Sequence, residues 1–325
     1  MRDQYGRNID YIRISLTDRC NLRCIYCMPN EGVQQVPHTD ILSYDEILKI
    51  AKICVSQGIN KVKLTGGEPL VRKGIDELLA KLKAINGMEQ VTLTTNGVRL
   101  KEQMQGLAKA GLDGVNISLD TLDEKMYAKI TRRDNLAQVL EGIEEALRYP
   151  EIRVKINCVP LAGVNEEQWV ALAHLAKERQ IDVRFIEMMP IGLGKQYQGR
   201  TQEDICHMLE QTYGTCKPLS VTYGNGPSVY MKFPGFCGNI GFISALSHKF
   251  CGECNRIRLT AEGFLKPCLQ YGTGTDLRTL IRNGATEKVI QDVIKETIYH
   301  KPCSHHFEKE EQELDEQRQM SRIGG

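Results

Sequence analysis

Short β-branched runs and amphipathic stretches alternate along the first two thirds of the chain. Tyr11–Leu16, Lys61–Thr65, Gln90–Thr95, Gly114–Leu119, Ile152–Cys158 and Asp182–Glu187 read as strands, because short runs rich in Val, Ile and Thr suit a half-buried pleated surface. Between them, Tyr44–Gln57 places Ile47, Ala51, Cys54 and Val55 on one helical face. Ile75–Ala84, Lys101–Ala110, Asn135–Tyr149, Glu166–Arg179 and Thr201–Tyr213 carry the same helical repeat. Strands alternating with helices predict parallel βα units. The expected fold is α/β, an incomplete (β/α)6 barrel of the triosephosphate-isomerase type; an open doubly wound sheet fits the same alternation.

The texture changes after Ser220. Val229–Phe233, Asn239–Ser244, Arg256–Thr260 and Gly263–Lys266 are short runs joined by Gly-rich turns, which predicts a small antiparallel sheet. Helical stretches follow at Asp276–Asn283 and Glu287–His300. The expected division is a barrel over residues 4–220 and a smaller α+β domain over 221–325, capping the barrel mouth. Phe307–Ser321 is charged and poor in apolar residues, which predicts a mobile or weakly docked tail.

Composition narrows the class. The chain has 325 residues, 41% of them hydrophobic, and a net charge of +1. That content supports a packed core, and the charge supplies no global field for nucleic acid or an anionic membrane surface. No opening stretch resembles a signal peptide, and no run approaches the ~20 apolar residues that span a bilayer. The expectation is a cytoplasmic protein with no nucleic-acid or membrane partner.

The cysteines carry the chemistry. There are 12, and six fall in two tight groups. Cys20, Cys24 and Cys27 have the spacing C-x3-C-x2-C with no fourth cysteine nearby. A cubane iron–sulfur cluster usually takes four thiolates, so three leave one iron open to a substrate. Zinc remains an alternative on spacing alone, since soft thiolates suit both. Cys251, Cys254 and Cys268 form a second triplet, and His248 could complete a zinc site there. The other polar signals sit where strands finish: Thr65-Gly66-Gly67-Glu68-Pro69, Thr94-Thr95-Asn96-Gly97, Ser118-Leu119-Asp120, Asn157 and Glu187-Met188-Met189-Pro190. Barrel active sites form at those ends. Glycine pairs let backbone approach a ligand, although, taken alone, an ordinary tight βα turn is the more common explanation of such a segment. Arg256 and Arg258 alternate along one strand and share a face. Arg13, Lys63, Lys155 and Arg184 sit within strands; cations there suggest a phosphorylated substrate.

Cys20-x3-Cys24-x2-Cys27 with Tyr26 between the ligands, followed by Gly66-Gly67-Glu68-Pro69, resembles the radical S-adenosylmethionine superfamily. With Lys63-Leu-Thr-Gly-Gly-Glu-Pro-Leu, Asn116-Ile-Ser-Leu-Asp, Arg184-Phe-Ile-Glu-Met-Met and Cys251-x2-Cys254-x-Arg256-x-Arg258, the likeness narrows to its GTP 3′,8-cyclase family and runs nearly the whole length. The resemblance implies two [4Fe–4S] clusters with three Cys ligands each: Cys20, Cys24 and Cys27 for the first, Cys251, Cys254 and Cys268 for the second. It implies S-adenosylmethionine against Tyr26, Gly67, Ser118, Asn157 and Met189. GTP would meet Arg13, Lys63, Thr94, Lys155, Arg184, Arg256 and Arg258. Arg256, Arg258 and the terminal Gly324 and Gly325 would serve catalysis, the tail threading the site. The implied reaction takes hydrogen from the ribose 3′ carbon and joins it to guanine C8, giving (8S)-3′,8-cyclo-7,8-dihydroguanosine 5′-triphosphate, the first step of molybdenum cofactor biosynthesis. Implied partners are a flavodoxin or ferredoxin as reductant, cyclic pyranopterin monophosphate synthase downstream, and a second copy in a homodimer. One departure stands out: Lys63 lies where the family often has arginine, keeping the charge and losing the fork geometry. Rival readings are a peptide-modifying radical enzyme with an auxiliary cluster, a two-cluster electron carrier and a zinc-binding nucleic-acid module.

Overall fold

Capping chemistry and apolar periodicity agree along the chain. In the computed structural model, residues 1–220, 223–309 and 312–324 are described. Six strands and their helices follow in order: β1 (Tyr11–Ser15), α1 (Tyr44–Ser56), β2 (Lys61–Thr65), α2 (Ile75–Lys83), β3 (Gln90–Thr95), α3 (Leu100–Lys109), β4 (Gly114–Ser118), α4 (Glu124–Thr131), α5 (Leu136–Ala146), β5 (Arg153–Cys158), α6 (Trp169–Glu178), β6 (Asp182–Ile186) and α7 (Gln202–Tyr213). Ser43 caps α1, accepting from Glu46 N while the Glu46 side chain returns to the Ser43 N–H. That reciprocal box satisfies two orphan donors. The buried face of α1 (Ile47, Ile50, Ala51, Ile53, Cys54) packs on the sheet. α4 went unread in the sequence; its start is Asp123, whose side chain accepts from Met126 N.

β1 to β6 lie in sequence order and pair in parallel. A doubly wound sheet would reverse its order midway, so the arrangement is a partial barrel. The remaining elements are β7 (Lys217–Leu219), β8 (Val229–Lys232), β9 (Ile240–Ile243), β10 (Arg256–Leu259), β11 (Phe264–Lys266), β12 (Thr275–Asp276), α8 (Leu277–Arg282), α9 (Glu287–Tyr299) and α10 (Met320–Ile323).

The expected separate antiparallel sheet is corrected here. β9 pairs in parallel with β6, and β10 in parallel with β1; all strands form one 12-stranded sheet. The antiparallel pairs β7–β8–β9 and β10–β11–β12 only flank its ends. The cause is the open barrel itself: β1 and β6 would otherwise expose unpaired backbone groups, and the later strands cover both. The N-terminal end of the barrel is plugged after residue 222. Tyr223 lies under the Arg153 guanidinium at 3.9 Å, and its carbonyl accepts from Lys155 Nζ at 2.6 Å. Of the expected mobile or weakly docked tail, the structure shows a docked one. Glu316, Ser321 and Ile323 are buried, and the tail's path is given below. Among the described residues no helix is long and apolar enough to cross a membrane.

Candidate functional site

The first cysteine loop is built by backbone contact. Gly67 N donates to Thr17 O at 2.6 Å and Glu68 N to Arg19 O at 2.8 Å. A Cβ on Gly67 would lie 2.4 Å from Arg19 O, so glycine is required by the chain's own cysteine loop. The Arg23 guanidinium donates to Cys20 O at 2.7 Å and Leu22 O at 2.8 Å. Arg132, in the left-handed region at φ 56°, donates to Arg23 O and Met28 O from behind. Burial pushes the Cys20 thiol up to about 11 and the Cys27 thiol up to about 12, and raises Cys24 well above the usual thiol range.

Two carboxylates brace this loop. Glu68 accepts from Leu70 N, Thr95 Oγ1 and Asn96 N at 3.0, 2.7 and 2.6 Å; burial outweighs these bonds and holds it at about 7. Asn96 Nδ2 in turn donates to Asn21 Oδ1 at 2.8 Å and faces Cys20 Sγ at 3.9 Å. Asp120 accepts from Tyr26 Oη at 2.6 Å and Val159 N at 2.8 Å; burial raises it to about 6.

Below the mouth lies a ring of cations. Arg13, Lys63, Lys155, Arg184 and Arg258 are each the third residue of their strand. Lys155 Nζ also donates to Tyr230 Oη at 3.1 Å. Arg184 donates to Asn157 Oδ1 and Asn116 Oδ1, the shortest contacts being 2.6 and 2.8 Å. Burial, then the other cations, drives Lys63 well below the ordinary lysine range. Burial and Arg184 bring Lys155 to about 7. Burial, Arg13 and Arg256 bring Arg258 to about 9. These groups repel one another in a protein whose net charge is +1, so the positive charge is concentrated for a polyanion.

One chamber of about 340 Å³ joins the parts. It is lined by all six cysteines of the two triplets, by Tyr26, Gly67, Ser118, Asn157 and Met189, and by Arg13, Thr94, Arg256 and Arg258. Lys63, Lys155 and Arg184 lie in the barrel interior without lining that chamber. Gly324 reaches it from the tail: Arg258 donates to its carbonyl at 2.6 Å. Gly325 falls outside the described residues. Glu68, Asp120 and Asn96 were legible only as members of strand-end segments. Lys301, which lines the chamber beside the second triplet, carried no sequence signal.

The donor sets suit iron–sulfur ligation. Both are thiol-only, and soft thiolates favour Fe–S clusters or zinc. Zinc needs its ligands to converge on one ion, whereas a cubane takes each thiolate on a different iron. Among the described residues no three His, Cys, Asp or Glu side chains converge on one ion. His248 turns to Glu203 at 3.3 Å. Arg256 Nε is buried without a hydrogen-bond partner, beside the second triplet.

Comparison with known proteins follows this geometry. A family model described as the radical SAM superfamily matches residues 14–176, and one described as Molybdenum Cofactor Synthesis C matches residues 181–307. The chain is 46% identical over 325 residues to GTP 3′,8-cyclase of Clostridium perfringens (strain 13 / Type A), covering 100% of each. It is 44% identical over 328 residues to GTP 3′,8-cyclase of Pelotomaculum thermopropionicum, again covering 100% of each. Among solved structures, Streptococcus suis SuiB superposes with a TM-score of 0.62 at 16% identity, covering 91% of this chain and 67% of that one. SuiB bound to S-adenosylmethionine gives 0.59 at 16%, covering 87% and 68%. At that identity the likeness shows a shared fold.

Proposed function

The chain belongs to the radical S-adenosylmethionine superfamily and, within it, to the GTP 3′,8-cyclase family, and on that premise we propose that it converts GTP to (8S)-3′,8-cyclo-7,8-dihydroguanosine 5′-triphosphate in molybdenum cofactor biosynthesis. Membership brings a [4Fe–4S] cluster and S-adenosylmethionine. The observation that carries the reading is the single chamber that gathers both cysteine triplets, with Arg256 and Arg258 on its wall.

Cys20, Cys24 and Cys27 would hold the first cluster, and Cys251, Cys254 and Cys268 a second. When bound, the reduced first cluster and S-adenosylmethionine supply a 5′-deoxyadenosyl radical that takes hydrogen from the ribose 3′ carbon. Tyr26, Gly67, Ser118, Asn157 and Met189 would hold S-adenosylmethionine against that cluster. The cation ring with Arg256 would bind the triphosphate. Lys155 is fixed before substrate arrives by Tyr223 and Tyr230, and Arg184 by Asn116 and Asn157, so these two need little reorganisation on binding. Thr94 Oγ1, accepting from Asn116 Nδ2 at 3.3 Å, keeps its proton for a ligand oxygen. Ile243, Met188, Phe250 and Phe307 give the chamber apolar walls that exclude water. Gly324, bound by Arg258, closes the site from the tail side.

The proposal divides the chain into a barrel over 4–220 and a capping region over 221–325. It places the protein in the cytoplasm, with a flavodoxin or ferredoxin as electron donor, cyclic pyranopterin monophosphate synthase taking the product, and a homodimer as the assembled form. The test is an anaerobic assay of reconstituted protein with GTP, S-adenosylmethionine and a strong reductant. 5′-Deoxyadenosine and a cyclised nucleotide should appear together. 5′-Deoxyadenosine without cyclised nucleotide would mean another substrate, and neither product from protein with two clusters would return the electron-carrier reading.

A further inference from the structure

One fully enclosed cation takes no part in the scheme above. Lys301 follows α9, is 2% exposed, and has no carboxylate in ion-pair range among the described residues. Its Nζ donates to Arg256 O at 3.0 Å and to Pro267 O. Those carbonyls lie two residues after Cys254 and one before Cys268, and Lys301 lines the same wall as the triplet. An ammonium has three donors; two end on carbonyls, and the third faces the Cys254 thiol. A buried cation is costly unless an anion compensates it, and the thiol triplet is the anion source within reach.

The position of Lys301 is fixed from the other end of the chain. The buried Arg7 guanidinium pairs with Asp3 at 2.6 Å. Its NH1 donates to Cys251 O at 2.8 Å and Cys303 O at 2.9 Å, and its NH2 to Pro302 O at 2.7 Å and Lys301 O at 3.3 Å. One side chain therefore locks the segment that carries Cys251 to the segment that carries Lys301. This clamp touches neither the first triplet nor the cation ring.

We propose that Lys301, held by the Asp3–Arg7 clamp, is the counter-charge and positioning residue of the second cluster, raising its reduction potential and keeping Cys254 and Cys268 in place. The proposal rests on the reading that the second triplet holds a cluster. Cluster potentials follow net charge and hydrogen bonds to the sulfurs, so loss of a positive charge disfavours the added electron.

The test is a reductive titration with dithionite, followed by electron paramagnetic resonance, on anaerobically reconstituted wild type, Lys301→Met and Lys301→Arg. The first cluster is the internal control. In Lys301→Met its midpoint and its S-adenosylmethionine-dependent signal should be unchanged, while the second cluster's midpoint moves to a more negative potential. Lys301→Arg should restore it. A second-cluster midpoint and signal identical in wild type and Lys301→Met overturns the proposal. If Lys301→Met does not load its second cluster, Asp3→Asn carries the comparison: it loosens the clamp, and a smaller shift in the same direction is expected, an unchanged midpoint again being fatal. If the triple variant Cys251→Ser, Cys254→Ser, Cys268→Ser holds as much iron as wild type, the reading of the second triplet fails, and that result is distinct from a null effect at Lys301.

Discussion

Removing the Glu316 carboxylate should detach the C-terminal tail from the chamber. The tail runs beside the segment between β11 and β12: Gly272 N donates to Leu314 O at 2.8 Å, and Glu316 N to Gln270 O at 2.6 Å. Glu316 then makes an ion pair with Lys266 in which the two side chains are 2% and 0% exposed. Arg318 adds two bonds to the same carboxylate at 2.8 and 2.9 Å. Beyond this anchor, Gln319 Oε1 accepts from Leu193 N at 3.2 Å, and Gly324 meets Arg258. In Glu316→Ala, Lys266 would be left as an uncompensated buried charge. Removing one partner of a buried pair costs about 3–5 kcal/mol. That cost falls on the docked state, because an undocked tail returns Lys266 to water. The docked-to-undocked ratio should drop roughly 10²- to 4 × 10³-fold, at about 1.4 kcal/mol per factor of ten.

Hydrogen exchange reads this directly. Amides of residues 314–322 should lose protection in Glu316→Ala, while those of β1 to β6 keep theirs. Cyclised nucleotide should fall with it, and both clusters should still load. The decisive control is the double variant Lys266→Met with Glu316→Met. Replacing both charges by apolar groups of similar volume is often neutral or stabilising, so protection should return. A double variant as unprotected as Glu316→Ala would refute the account, since the defect could not then lie in the unpaired charge.

Other outcomes follow from the same geometry. Gly67→Ala should cost about 1–3 kcal/mol as an overpacked contact, because its Cβ would stand 2.4 Å from Arg19 O; 5′-deoxyadenosine formation should collapse, and a variant retaining wild-type formation would break the argument. Gly324→Ala places a side chain at φ 73° and 3.2 Å from Ser15 Cβ. Left-handed backbone costs a non-glycine residue about 1–2 kcal/mol, so tail docking should weaken roughly 5- to 30-fold, read as reduced protection of 320–323. Lys155 is held at about 7 by burial and Arg184, and a bound triphosphate raises it again. Free enzyme is therefore largely neutral there at pH 8, and GTP binding should take up a proton, the Lys155 contribution to affinity falling by at most about tenfold per pH unit above pH 7. Calorimetry in buffers of different ionisation enthalpy measures the uptake, which Lys155→Met should reduce.

Much of this was legible because the signals are local. The six βα units follow from periodicity and caps, as at Ser43–Glu46, and the strand-end residues follow from barrel geometry. What escaped depends on distant partners. Nothing in Ile240–Ile243 or Arg256–Leu259 shows that they pair in parallel with β6 and β1 rather than only with one another. The choice is made by open edges that exist only once the barrel has formed. The tail escaped for a related reason. Its charges read as solvated, yet Glu316 is buried because Lys266 and Arg318 converge on it. Lys301 and Arg7 were invisible because most of their partners are backbone carbonyls, which every residue offers.

The two closed ends of the barrel differ in kind, and the difference bears on turnover. At the N-terminal end of the barrel the plug is woven into the cation ring: the Tyr223 carbonyl and Tyr230 hydroxyl hold Lys155, and the Tyr223 ring lies under Arg153. Opening that end would disturb the cation ring proposed to bind the triphosphate. The tail is attached otherwise. Leu314 is 59% exposed, and among the described residues the docking contacts are hydrogen bonds and the ion pairs of Glu316 and Asp315, with little apolar burial beyond Ile323. Segments with few buried apolar contacts open without global unfolding. The mouth is therefore the end that can admit GTP and release product. An ion-pair anchor suits that role, because its geometry admits one docked register while contributing little net stability over the separated, solvated charges.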